Sequence, residues 1–287
     1  MEVIRATRYA GFCGGVKRAW KLATREAASG TPVYISGKLI HNTPAMNELE
    51  EMGIRLLDLS QADGVQPGTP FILRAHGEGP AVYERSQQLG LRLIDGTCGI
   101  VRNVQRRARA LEEQGFQVVL FGHKNHPEAR ATVAHTQRGI IVESAEEAAG
   151  LSYYPKIAAI AQTTSSQREY AEVCRVLRER CDRFEDQGHI CDFTQRAQEE
   201  AAEIARQVDA MVVVGGRDSS NTRRLVEVCL EHCPTYQVET AEDLQPEWIE
   251  GVTRIGVAAG ASTRDRDIDE VVARLEAMRT EHQAGQG

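Results

Sequence analysis

The sequence predicts an α/β protein built from three repeats of one small module, and three observations predict it. A cysteine followed by an amphipathic helix, an apolar strand and a polar loop occurs three times. Each cysteine stands 28 positions before a corresponding loop residue: Cys13 and His41 (41 − 13), Cys98 and His126 (126 − 98), Cys191 and Ser219 (219 − 191). Each copy then offers a second strand with a small polar loop after it, in FILRAHGEG, AAIAQTTSS and IGVAAGAST. Periods of 85 and 93 residues (98 − 13, 191 − 98) are too long for a solenoid and suit compact α/β modules. The expected modules are residues 1–95 with Cys13, 96–188 with Cys98 and 189–280 with Cys191, followed by a frayed tail at 281–287.

Taken in order, Glu2–Ala6 reads as a strand delivering Cys13, VKRAWKLATREA as a helix and Pro32–Ser36 as the next strand. Pro44–Met52 is helical, with Pro in its first turn and Gly53 beyond its end. Ile54–Leu59 and Phe71–Ala75 read as strands on either side of the Gln66-Pro67-Gly68 turn. Pro80–Leu89 is a helix, and Leu91–Ile94 is the strand that hands over to Cys98. In the second repeat Ile100–Gln114 carries apolar residues at Ile100, Val101, Val104, Ala108 and Leu111, one buried stripe on a polar helix. Gly115 stops it, and Phe116–Phe121 is a buried strand leading into GHKNHPE, with His126-Pro127-Glu128 read as a turn that aims Glu128 inward. Gly139–Val142 is a short strand, and Ser144 with Glu147 marks a capped helix start. Lys156–Gln162 is a strand whose TTSS loop caps a helix over Arg168–Arg180. The last repeat has a helix in TQRAQEEAAEIARQ, a strand at Ala210–Val214, helices at Thr222–Glu231 and Pro246–Glu250, a strand at Arg254–Ala259 and a closing helix at Ile268–Arg279.

A chain of 287 residues with 41% apolar and 26% charged content can bury a full core. A net charge of −7 argues against nucleic acid or an anionic membrane as the main partner. No apolar run is long enough to span a bilayer and the N-terminus lacks a signal-peptide core, so a cytoplasmic location is expected. Seven cysteines in a reducing compartment suggest metal or redox chemistry rather than a disulfide framework.

Cys13, Cys98 and Cys191 each stand at a helix start, where the dipole and free N–H groups favour a thiolate. Three equivalent thiolates with no fourth partner suit an iron–sulfur cluster with one iron left open, or a three-Cys zinc site. Cys174, Cys181, Cys229 and Cys233 lie on or beside predicted outer helices and read as packing residues. His41, His76, His123, His126, Thr163, Thr164, Ser219, Ser220, Asn221 and Ser262 all fall just after strands, where open α/β sheets place ligands. Their hydroxyls, amides and imidazoles suit a phosphorylated small molecule held by neutral donors and helix N-termini. Glu128, alone among His and Thr, is the natural proton donor, since burial raises a carboxyl toward neutrality. Neither GxGxxG after a strand nor GxxxxGK[ST] is present, so electrons would come from an outside protein.

The ordered runs GFCGGVKRA, GKLIHNTPAMNELEEMGI, RAHGEGP, DGTCGIV, GHKNHPE, AQTTSS, GRDSSNTRRL and AAGAST resemble the 4-hydroxy-3-methylbut-2-enyl diphosphate (HMBPP) reductase family from Val3 to about Arg274. The resemblance implies a trefoil of three pseudo-threefold-related α/β modules around a central [4Fe–4S] cluster. It assigns Cys13, Cys98 and Cys191 as the three ligands, with one iron open to the substrate hydroxyl. It implies Glu128 as proton source with His126 and Thr163, and diphosphate binding by His41, His76, Thr164, Ser219, Ser220, Asn221 and Ser262. An allylic diphosphate substrate and an external donor such as a ferredoxin or flavodoxin follow from it. Gly99, Gln105, Phe193 and Arg264 depart from the family's usual Pro, His, small residue and Pro, and Arg196 is out of step. These changes leave room for a paralogue acting on another hydroxylated or allylic substrate; a non-catalytic iron–sulfur sensor would need the cysteines but not Glu128.

Overall fold

A computed structural model describes residues 1–284; residues 285–287, part of the expected frayed tail, lie outside the described residues. The chain opens with β1 (Glu2–Arg5), α1 (Gly14–Ala27), β2 (Val33–Ile35), α2 (Thr43–Glu51), β3 (Ile54–Leu56), β4 (Pro70–Leu73), α3 (Pro80–Gln88) and β5 (Arg92–Asp95). It continues through α4 (Gly99–Glu113), β6 (Gln117–Phe121), α5 (Pro127–Val133), β7 (Ile140–Val142), α6 (Ala145–Ala149), β8 (Tyr154–Ala161), α7 (Gln167–Arg178) and β9 (Cys181–Asp186). The last part holds α8 (Asp192–Ala205), β10 (Ala210–Val214), α9 (Ser220–Leu230), β11 (Thr235–Val238), β12 (Arg254–Ala259) and α10 (Asp265–Ala284).

These elements fold into two compact units, one of residues 1–17, 40–48 and the chain from Asp192 onward, the other of residues 18–39 and 49–191. The first unit holds one four-stranded sheet in the order β1-β12-β10-β11; the second holds two, β3-β2-β4-β5 and β7-β6-β8-β9. Every strand pair is parallel. Numbered within a repeat, each sheet runs 2-1-3-4, so the order reverses between the two central strands. Such a reversal opens a crevice at the strands' C-terminal ends.

The central strands β10 and β12 are buried nearly end to end, and β8 from Ile157 to Ala161, which is why these stretches read as unbroken apolar runs: helices cover both faces of a parallel sheet. Leu120, Ile157 and Ile160 have no accessible surface, and each such side chain contributes on the order of 2 kcal/mol by leaving water. Helix α4 buries Val101, Val104, Gln105, Ala108 and Leu111 on one stripe, close to the expected face.

Several expectations need correction. The fourth strand of the first unit's sheet is β1, which pairs with β12 from Glu2–Arg254 to Arg5–Val257; the sheet of residues 33–95 is complete without it. Strand pairing is non-local, and no turn signal in Glu2–Ala6 announces a partner about 250 residues away. Strands β9 and β11 were not expected: CDRFED and TYQV are polar edge strands, half exposed, with no alternation to mark them. Residues 127–133 form α5 rather than a turn, and Pro246–Ile249 makes only a 3-10 turn. The closing helix runs past Arg279 to Ala284.

Candidate active site

In the second unit, the loop after β6 ends in a helix that aims one carboxyl. His126 is the N-cap of α5, its Nδ1 accepting the Glu128 N–H at 3.2 Å, and Pro127 occupies the first turn where no N–H is needed. Glu128 thereby falls on the inward face of the first turn, 3% exposed. The loop after β8 meets it: the Thr163 N–H donates to Glu128 Oε1 at 2.6 Å, and the Thr163 hydroxyl to Oε2 at 2.9 Å. Burial raises the Glu128 carboxyl to about 7, against the two Thr163 hydrogen bonds that pull it down. The His126 ring stands edge-to-face on His76 from the loop after β4, centroids 5.3 Å apart. Thr164 accepts from Gln162 Nε2 at 2.9 Å, while Gln162 Oε1 takes the His123 N–H at 3.0 Å, so Gln162 ties the two loops together.

In the first unit, the loops after β10 and β12 form a cradle of neutral donors. Ser219 caps α9, accepting the Thr222 N–H at 3.2 Å, and Ser220 and Asn221 follow it, both buried. Both side-chain amide atoms of Asn221 are buried without a hydrogen-bond partner among the described residues. A buried, unpaired amide at a helix N-terminus leaves polar atoms able to receive a ligand. The Ser262 hydroxyl donates to the His41 carbonyl at 3.0 Å, and Gly216 packs so tightly on that carbonyl that a Cβ would overlap it. His41 is thus anchored by its backbone to the same two loops.

The three repeat cysteines have one local geometry. Each ends the run out of a fourth strand (β1, β5 or β9) and starts a helix (α1, α4 or α8). Each donates its N–H to the carbonyl of a residue after a third strand: Cys13 to Ala261 at 3.0 Å, Cys98 to Ala75 at 2.9 Å, Cys191 to Thr163 at 2.9 Å. All three are partly exposed and outside any disulfide. By contrast Cys174 and Cys229 are buried, and burial pushes their thiols up to about 11 and about 12, which fits packing. A partly exposed thiol at a helix start is chemically suited to bind iron, so the donor set fits an iron–sulfur group.

Sequence reasoning missed the carboxylates that hold these approaches. Glu200 of α8 accepts the N–H groups of Thr7 and Arg8 at Oε1 (3.1 and 3.2 Å) and of Tyr9 at Oε2 (2.9 Å), fixing the loop that leads to Cys13. Asp95 accepts the Thr97 N–H at 2.9 Å ahead of Cys98, and Asp186 the Gly188 N–H at 3.2 Å ahead of Cys191. Only Glu200 left a signal: a charge inside the buried stripe Ala197, Ala201, Ile204. Of the departures near the cysteines, Gln105 lies against Gly77 beside His76, with its buried Nε2 unpartnered. Phe193 packs edge-to-face on Tyr9, centroids 5.9 Å apart, and Arg264 pairs with Glu48 and Asp267. A Cβ at Gly99 would meet no atom within 4 Å.

Parallel sheets carry a near-neutral buried acid, loops of neutral polar groups and helix-start thiols at the ends of their strands, chemistry that suits an α/β oxidoreductase. The sequence model of one family, described as LytB protein, matches residues 3–276, and the chain belongs to that family. It is 42% identical over 277 residues to 4-hydroxy-3-methylbut-2-enyl diphosphate reductase of Pelobacter propionicus, covering 96% of this chain and 98% of that protein. It is 38% identical over 282 residues to the reductase of the same name from Aquifex aeolicus, covering 96% of each. Among solved structures it resembles that of (E)-4-hydroxy-3-methyl-but-2-enyl diphosphate reductase, the terminal enzyme of the non-mevalonate pathway. That likeness has 37% identity and a TM-score of 0.71 over 96% of this chain and 100% of that one. The Plasmodium falciparum E-1-hydroxy-2-methyl-but-2-enyl-4-diphosphate reductase superposes with a TM-score of 0.88 at 27% identity, covering 95% of this chain and 87% of that one. No helix among the described residues is long and apolar enough to cross a membrane.

Proposed function

We propose that the chain reduces 4-hydroxy-3-methylbut-2-enyl diphosphate to isopentenyl and dimethylallyl diphosphate. The reaction consumes two electrons and two protons and releases the hydroxyl oxygen as water. This is the last step of the methylerythritol phosphate route to isoprenoids. The observation that carries the reading is Glu128, a buried carboxyl held by Thr163 with its pKa raised to about 7. An ordinary carboxyl is an empty base at neutral pH, whereas this one is about half protonated and can give a proton.

Cys13, Cys98 and Cys191 are the proposed ligands of a [4Fe–4S] cluster with one open iron, which supplies electrons and a Lewis-acidic position for the substrate hydroxyl. The remaining work falls to side chains. His41, Ser219, Ser220, Asn221 and Ser262, with His76 and Thr164, bind the diphosphate; the unpaired Asn221 amide and the N-terminus of α9 support this assignment. The Thr163 N–H occupies Glu128 Oε1, so the acid proton is carried on Oε2, next to the Thr163 hydroxyl. His126 caps the turn that holds Glu128 by accepting its N–H at Nδ1, and it assists proton delivery beside it. Turnover therefore falls as pH rises above about 7, where Glu128 loses its proton.

The test is anaerobic turnover by protein reconstituted with iron and sulfide, using a strong one-electron reductant. Wild type is expected to turn over. Glu128→Gln should keep the iron–sulfur absorption and lose about 10²- to 10⁴-fold in rate. Near-normal turnover by that variant removes Glu128 as proton donor. An intact cluster with no wild-type turnover favours a paralogue with another substrate, and Gln105, against the loop of His76, is the residue that would then mark the difference.

A further inference from the structure

We propose that the arginine-rich face around the Cys98 turn, made by Arg18, Arg102, Arg106 and Arg107 of the second unit, is the docking surface for an acidic one-electron carrier protein. The proposal rests on the reductase reading, because that reaction needs two external electrons and the sequence has no dinucleotide or P-loop motif.

The four side chains form one patch. Arg18 donates to the carbonyls of Thr97 (3.2 Å) and Asp95 (3.1 Å), the residues just before Cys98. Arg102 pairs with the Asp95 carboxylate at 2.7 Å. Arg106 follows one helical turn later and hydrogen-bonds the Asn103 side chain. Arg107 reaches the Gln187 carbonyl at 3.3 Å, on the segment that runs into Cys191. The patch therefore extends from the turn of one cysteine to the approach of another.

Its charge is unspent. Only Arg102 has a carboxylate partner, whereas Arg18, Arg106 and Arg107 bond to carbonyl or amide oxygens. Three other arginines of the second unit are paired with acids: Arg109 with Glu113 further along α4, Arg74 with Glu78 and Arg92 with Glu26. On a chain of net charge −7, three exposed guanidinium groups with no carboxylate partner among the described residues make a local positive field against the overall sign. Such a field steers an acidic partner to one face and repels it from the rest.

The surface between the arginines is low. The exposed positions of this face are Gly99, Asn103 and Ala110, and space above Gly99 is open to at least 4 Å. Cys98 itself is partly exposed. A carrier can thus bring its redox centre close to the thiol, and electron-transfer rates fall steeply with distance. Small neutral residues ringed by arginines fit a convex, acid-rimmed protein better than a small anion, which would need converging donors.

The test compares wild type with the Arg106→Glu/Arg107→Glu double variant, both carrying the cluster. With an acidic [2Fe–2S] ferredoxin as donor at low ionic strength, kcat/KM should drop about tenfold or more, and the gap should close as salt is raised. With reduced methyl viologen as donor the variant should be no slower than wild type. Equal loss with both donors, or full ferredoxin activity, overturns the docking surface. Affinity for oxidised ferredoxin is read in parallel and should weaken about tenfold, also at low salt. That arm needs no turnover: unchanged affinity refutes the surface, while weakened affinity in a wild type inactive with viologen refutes only the reductase reading.

Discussion

At Glu128 two forces act on one proton, and their balance sets how the molecule responds to pH. Desolvation favours the neutral acid; the Thr163 N–H and hydroxyl favour the anion, and desolvation is the larger. The folded pKa of about 7 lies above the ordinary 4.5, so between those values the folded state holds more protons than the unfolded one. Glu128's contribution to stability is complete below 4.5 and is lost as pH rises through 7, a change of about 3 kcal/mol. Gln in its place can accept from the Thr163 N–H and donate to its hydroxyl without titrating. Urea unfolding should show wild type losing about 3 kcal/mol relative to Glu128→Gln between acid and mildly alkaline pH; parallel curves would mean that the carboxyl titrates as an ordinary one. The sequence exposes Glu128 because it is an acid alone among His and Thr after an apolar strand. Thr163 stands beside it only through the family resemblance, because 35 residues separate the two and only folding brings the loops together.

Some elements in this chain end in turns with no room for a side chain. At Gly96, between β5 and the Cys98 turn, a Cβ would overlap the Leu73 carbonyl oxygen of the neighbouring strand. That oxygen belongs to backbone locked in the sheet, so it cannot swing aside as a side chain would. Gly96→Ala should cost on the order of 2–4 kcal/mol, read as a lower thermal midpoint. A midpoint unchanged within error would show that the β5 end is softer than its hydrogen bonds indicate. The same scale explains what could be read ahead of the structure. Strands β6, β8, β10 and β12 are legible because burial on both faces demands continuous apolar residues. Strands β9 and β11 are not, since an edge strand satisfies its single partner with almost any side chain. Helix α5 is hidden by its length: seven residues carry too little periodicity to mark a face.

Across the whole molecule, the repeat is legible in the spacing of the cysteines, but the closing of its last sheet is not. Residues of β1 complete a sheet whose other strands lie between Ala210 and Ala259. Removing residues 1–6 should therefore strip amide-exchange protection from Ile255–Ala259 while leaving Ala158–Ala161 of the second unit protected. Equal protection in both chains would place the stability of β12 in its pairing with β10 alone. This strand pair also imposes an order on biogenesis. The segment bearing Cys13 is made 248 residues (261 − 13) before Ala261, whose carbonyl receives its N–H. A nascent chain waits with its opening segment unpaired, and one stopped early never gains a finished Cys13 turn. Any metal site that included Cys13 would therefore be finished only after Ala261 has been made.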